Sequence, residues 1–251
     1  MSGPHPDPAE LLTEAEAAWS GELIDPPEHL VETRKALHRV AEDVLKEARE
    51  KATGNEIALR WYPGGFGTPP IPEGGESRII RVESLTLLDV RDSGESSRTP
   101  LTSLRAAAGT LGDLLDASEL SDDPLGIDQA AADFLGLWFA FATLAIAELQ
   151  TGANASLDPG LVQLWPEHFD IATELGSEAD GKRAAFGASP GDEEHDEPYV
   201  YVAPWIEQPE AEVWNSTAFK GAEMPYAELR AADDPRAAVA TFFARAVRAL
   251  G

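Results

Sequence analysis

From Phe134 to Ala147 the chain carries no charged residue. Phe134, Leu135, Trp138, Phe141 and Leu144 fall at helical spacing within residues 128–150. A helix that is apolar on every side has no face to offer water, so it belongs inside the fold with other elements around it. The uncharged run is shorter than the roughly 20 residues that a membrane span needs. It therefore reads as a core helix, and Trp138 and its phenylalanine neighbours as core residues rather than the wall of a cofactor site.

The other apolar residues sort by period. Leu30, Leu37, Val40, Ala41, Val44, Leu45 and Ala48 mark a helix, with Asp25-Pro26-Pro27-Glu28 as its start and Gly54 as its stop. Residues 101–116 predict a second helix, weakened by Gly109 and Gly112. Residues 235–250 predict a last one, opened by Asp234-Pro235 and carrying Val239, Phe242, Phe243 and Ala246 on one face. Ile57, Leu59 and Trp61 alternate as in a strand. Residues 78–90 make one bent strand or two short ones, with residues 91–98 as a polar turn. Residues 161–175, 182–188 and 198–205 read as strands, and residues 212–219 add a short one.

Strands grouped in runs between helices predict an α+β fold: a mainly antiparallel sheet covered by about four helices, rather than a doubly wound parallel sheet. Residues 1–24 are expected to form a loose N-terminal arm with one short helix carrying Leu11, Leu12 and Trp19. Residues 25–251 make a single domain. The break at residues 121–126 divides it into two halves, 25–120 and 126–251, with an internal echo. Phe66-Gly67-Thr68-Pro69 and Phe186-Gly187-Ala188-Ser189-Pro190 each follow a strand pattern, and the next strand begins twelve residues after the Phe. A decayed duplication would produce this echo. The glycines and prolines of residues 63–70 read as a structural turn or, alternatively, a ligand-facing loop, and without a Gly-Lys-Ser/Thr this is no phosphate loop.

The formal net charge is -26. Such a surface repels phosphate backbones and anionic lipid, which disfavours nucleic acid and membrane partners. With no cysteine there is no disulfide, no thiolate-held metal and no thiol nucleophile. The first residues lack a basic start followed by an apolar core, and a cytoplasmic location is expected.

Residues 165–205 concentrate the chemistry-bearing side chains. They include Trp165-Pro166-Glu167-His168-Phe169-Asp170, Ser189-Pro190-Gly191-Asp192 and Glu197-Pro198-Tyr199-Val200-Tyr201. Read as an extended segment, the first places His168 and Asp170 on one side as a candidate catalytic pair. The turn at Pro190-Gly191 directs Asp192 back toward His168. His168, Asp192 and Glu197 then offer nitrogen and oxygen ligands of the kind that hold a divalent cation, although no His-Glu-x-x-His and no calcium-loop pattern is present. Trp165, Tyr199 and Tyr201 are candidate ligand-binding walls, the two tyrosines sharing a side at strand period. Ser189 lacks the Gly-x-Ser-x-Gly frame of a nucleophile elbow. These residues point to a small-molecule enzyme, cation-assisted, with a His/carboxylate site. The alternative is a non-catalytic ligand-binding or structural protein: Ser189-Pro190-Gly191-Asp192 is a β-turn sequence in its own right, and an acidic loop in an acidic chain is ordinarily just solvated.

The three motifs, in this order, resemble those of an uncharacterised bacterial family with actinobacterial members, whose pattern is Trp-Pro-x-His-Phe-Asp, Ser-Pro-Gly-Asp and Glu-Pro-Tyr-x-Tyr. The resemblance covers roughly residues 160–250 and includes Tyr226-Ala227-Glu228-Leu229-Arg230 ahead of a Phe-containing helix. Glu167 stands where the family commonly has His. The resemblance implies a shared fold and carries no activity with it.

Overall fold

The computed structural model describes residues 8–55, 59–153 and 157–251. The first half contains α1 (Pro8–Ala18), then α2 (Leu30–Val40), which runs through a π-helical turn (Ala41–Lys46) into α3 (Glu47–Thr53). Strands β1 (Arg60–Tyr62), β2 (Gly65–Gly67), β3 (Ile71–Glu73), β4 (Glu76–Glu83), β5 (Thr86–Arg91) and β6 (Ser96–Pro100) follow, and α4 (Leu104–Ala108) closes the half. The second half has α5 (Gln129–Gly152), β7 (Gln163–Trp165), β8 (Asp170–Leu175), β9 (Ala184–Ser189), β10 (Tyr199–Pro204), β11 (Ala222–Pro225), α6 (Tyr226–Ala231) and α7 (Pro235–Leu250). The α+β class holds, with antiparallel pairing in both halves.

The strands form two meanders. The first has the order β1-β2-β4-β5-β6, with β3 paired to β4; the second has the order β11-β10-β9-β8-β7. They meet at their first strands, where Leu59 and Leu164 exchange backbone hydrogen bonds of 3.0 and 2.9 Å. Both halves thus run helix, meander, helix. The Phe-Gly echo, however, falls on different rungs: Phe66 lies on the second strand of its meander and Phe186 on the third.

α5 is the element both meanders share. It packs against β1 and β2 on one side and β8 and β9 on the other, with α1, α2 and α7 around it. Asp128 starts it, its carboxylate accepting the Ala131 N–H at 3.0 Å. The helix runs well past the uncharged stretch and is by length and composition able to cross a membrane, but 83% of its apolar window is buried inside the fold.

Four expectations about where elements begin and end need correcting. From Pro8 onward the arm is not loose: α1 lies on α5 with Leu11 and Ala15 buried, and Trp19 reaches Phe141 at 5.3 Å. Ile57 and Ala58 of the first strand pattern lie outside the described residues. The helix expected from Asp25 starts instead at Leu30: Asp25 and Pro26 each precede a proline, which disfavours helical geometry at both. Asp25 pairs with Arg230 at 2.5 Å. Gly54 ends α3 in the left-handed region, φ +71°. The helix expected over residues 101–116 stops at Gly109 and gives way to 3-10 turns. Part of the polar turn at 91–98 is β6, an exposed edge strand.

Gly136 lets α5 approach the β1–β2 turn. A Cβ there would sit 3.0 Å from the Gly64 carbonyl carbon. Gly136→Ala would stabilise an isolated helix by about 1 kcal/mol. Here it is expected to destabilise by about 1–2 kcal/mol, since the helix must back away from main chain. Urea unfolding of the variant checks the sign.

Candidate acid–base site

The site begins with Phe169. Trp165 and Asp170 are register partners, so residues 166–169 form a tight turn, not the extended segment expected. The Phe169 N–H donates to the Trp165 carbonyl at 2.7 Å, and Phe169 itself takes φ +55°. That conformation costs an L-residue about 1–2 kcal/mol. Burial of the ring offsets it at about 1.5–3 kcal/mol: Phe169 is enclosed by Phe66, Phe139 and a stacked His38, with centroids 5.0, 5.1 and 5.3 Å away. With Phe169 committed inward, Asp170 emerges on the opposite face of β8. Ile171, Thr173 and Leu175 face α5, and Thr173 accepts a 2.8 Å bond from Gln150.

The face of the second sheet turned away from α5 therefore carries Asp170, Ala172 and Glu174 from β8. Gly187 and Ser189 of β9 lie opposite Tyr201 and Tyr199 of β10, and Tyr201 in turn lies opposite Glu223 of β11. The Tyr201 ring lies across Gly187: a Cβ on Gly187 would come within 2.4–2.5 Å of it. That position lets the Tyr201 hydroxyl donate to Asp170 Oδ2. Asp170 is 3% exposed, and its Oδ1 has no hydrogen-bond partner among the described residues. Burial pushes its carboxyl from the ordinary 3.8 up to about 6, against the pull of the Tyr201 hydrogen bond and the charge of nearby His168. Burial and the Asp170 charge push the Tyr201 hydroxyl upward in turn.

A second pair lies one step along β10. The Tyr199 hydroxyl donates to Asp192 Oδ2 at 2.5 Å. Asp192 Oδ1 accepts the N–H groups of Glu194 (2.9 Å) and His195 (2.8 Å) and faces His195 Nδ1 at 2.8 Å. Partial burial would lift this carboxyl, but the bonds from Tyr199, His195 and Glu194 together hold it below the ordinary range. The His195 ring packs on Tyr199 at 4.3 Å. Its Nε2 lies 3.5 Å from Glu223 Oε2, which also accepts the Ser216 hydroxyl at 2.7 Å. Phe219 packs on both tyrosines, at 6.5 and 6.1 Å. It comes from residues 205–221, which also frame an open cleft of about 680 Å³ lined by Ile206, Trp214, Ser216 and Phe219 among others.

The fold thus gathers Asp170, Asp192, Tyr199 and Tyr201, but not the full set expected. The β7–β8 turn and the β9–β10 loop do share one end of the sheet. His168, however, is exposed on its turn and reaches the cluster only as a charge near Asp170. Trp165 is half-buried on the edge strand β7, and Glu167 pairs with Lys46 at 3.3 Å. Glu197 is exposed. His168, Asp192 and Glu197 are not assembled as a ligand set: among the described residues no three His, Asp or Glu side chains are grouped to hold a metal ion. The imidazole of the cluster is His195. Its one sequence signal is the Asp192-x-x-His195 spacing behind a Pro-Gly turn, which lets one carboxylate cap the turn and meet the ring. The three motifs quoted above supply Asp170, then Ser189 and Asp192, then Tyr199 and Tyr201.

No family model, no curated protein and no solved structure matches this chain.

Proposed function

We propose that this protein performs acid–base chemistry on a small molecule at the outer face of its second sheet. One observation carries the reading. Two carboxyls, each bonded by a tyrosine of β10 and two residues apart in their tyrosine partners, are driven in opposite directions: Asp170 toward the neutral acid, Asp192 toward the carboxylate. Environments that separate two carboxyls in this way define an acid and a base. Asp192 takes the Nδ1–H of His195, which leaves Nε2 as the proton acceptor. Asp192 at Nδ1 and Glu223, 3.5 Å from Nε2, flank the ring on both sides. Asp170 is the acid, with Oδ1 as the oxygen free to carry its proton. His168 and a divalent cation have no part in this reading.

The packing of Phe219 over both tyrosines favours a second reading, in which the cluster only braces the sheet. Deuterium incorporation from D2O into a panel of small carbonyl compounds, followed by proton NMR, separates the two. The native chain is expected to exchange at least one compound about 10²–10⁴-fold faster than His195→Gln, the usual worth of a positioned general base. Equal rates for the two proteins across the panel would leave only the bracing role.

A further inference from the structure

Arg34 lies on α2, in the first half of the chain, and is 4% exposed. A buried guanidinium is costly unless its N–H groups are satisfied. Arg34 spends its own on main chain of the second half. Nη2 donates to the Asp192 carbonyl at 2.6 Å, and Nη1 donates to the carbonyls of His195 at 2.9 Å and Asp196 at 3.4 Å. Gly191 makes the room: its φ is +104°, and a Cβ there would sit 2.0 Å from Arg34 Nη1. Two of the three carbonyls belong to the residues whose side chains meet at the imidazole. A shift of this loop would therefore change the 2.8 Å contact between His195 Nδ1 and Asp192 Oδ1 directly.

We infer that Arg34 is a positioning residue: by clamping the main chain of residues 192–196 from α2, it fixes the His195 tautomer that exposes Nε2. This inference rests on the acid–base reading above. A planar fork reaching two carbonyls on one side and a third through its other nitrogen is geometry that lysine, a single point of charge, cannot reproduce.

The test is the nitrogen NMR spectrum of the full chain labelled with ¹⁵N-histidine, recorded above the pH at which the rings lose their charge. Native His195 should hold its proton on Nδ1. Arg34→Met should move it to a mixture dominated by Nε2–H, with the signals of the other histidines and the far-ultraviolet circular dichroism unchanged. Arg34→Lys should give an intermediate population. Asp192→Asn tests the dyad itself. If Asp192→Asn shifts the tautomer and Arg34→Met does not, the role of Arg34 is overturned and the dyad stands. If neither shifts it, both readings fall. Should Arg34→Met not fold, Gly191→Ala reaches the same clamp from the loop side by driving a methyl into Nη1; a folded Gly191→Ala protein with the native tautomer would overturn the inference.

Discussion

The stability difference between Asp170→Asn and the native chain is expected to change by about 3 kcal/mol between about pH 3 and pH 7, in favour of the variant. The figure follows from a carboxyl raised from 3.8 to about 6 at roughly 1.4 kcal/mol per pH unit. Below 3.8 the carboxyl is protonated in folded and unfolded chain alike, and nothing is lost. Between 3.8 and about 6 the unfolded chain ionises freely while the folded one resists, so native stability drains away across that window. Above about 6 both forms are ionised and the loss is complete. Asparagine has no such window. Its amide oxygen still accepts from Tyr201, while its unpartnered NH2 subtracts about 1–3 kcal/mol at every pH, so the informative quantity is the change with pH and not the offset. Urea unfolding of both proteins over this range checks it; a constant difference would mean that Asp170 is solvated as an ordinary carboxyl.

Gly187→Ala is expected to destabilise by about 2–4 kcal/mol. The new methyl would lie within van der Waals exclusion of the Tyr201 ring, and overpacking of this kind costs about 1–3 kcal/mol. Lifting the ring also strips Asp170 of its hydrogen bond, a further 1 kcal/mol or so. The claim is specific to the pair, so it is best read from a double-mutant cycle. In a Tyr201→Ala background the same substitution should be nearly neutral, so that the coupling equals most of that cost, about 2–4 kcal/mol. Additive costs would show that Gly187 matters for its backbone and not for the ring above it.

These residues also show where the sequence was legible and where it was not. Tyr199 and Tyr201 share a face because strand period is local, and the Pro190-Gly191 turn returning Asp192 to the sheet end is local as well. The core helix announced itself through an uncharged stretch that no surface could tolerate. The failures are of another kind. Phe169 adopts a left-handed backbone that its residue type disfavours, and only the pocket among Phe66, Phe139 and His38 makes that tolerable. A segment that looks extended is therefore bent, and His168 is carried out to solvent. His195 sits in a run of acids that reads as a solvated loop until the turn is drawn. Arg34 is 158 residues from Asp192, and the role of Gly187 appears only once the register across β9 and β10 is known. Tertiary partners, not local pattern, decide each of these.

Among the described residues the two meanders are joined at Leu59 and Leu164, and this junction has a consequence for folding rate. Within each meander almost every strand pairs with a chain neighbour, so apart from the β10–β11 connection the loops to be closed are short and their entropy cost small. The long-range search is concentrated in one event, the docking of both meanders on α5 with Leu59 against Leu164. Residues 121–126 tether the two halves through that search. Lengthening this tether should slow the docking step only logarithmically and leave strand pairing inside each meander at its own pace.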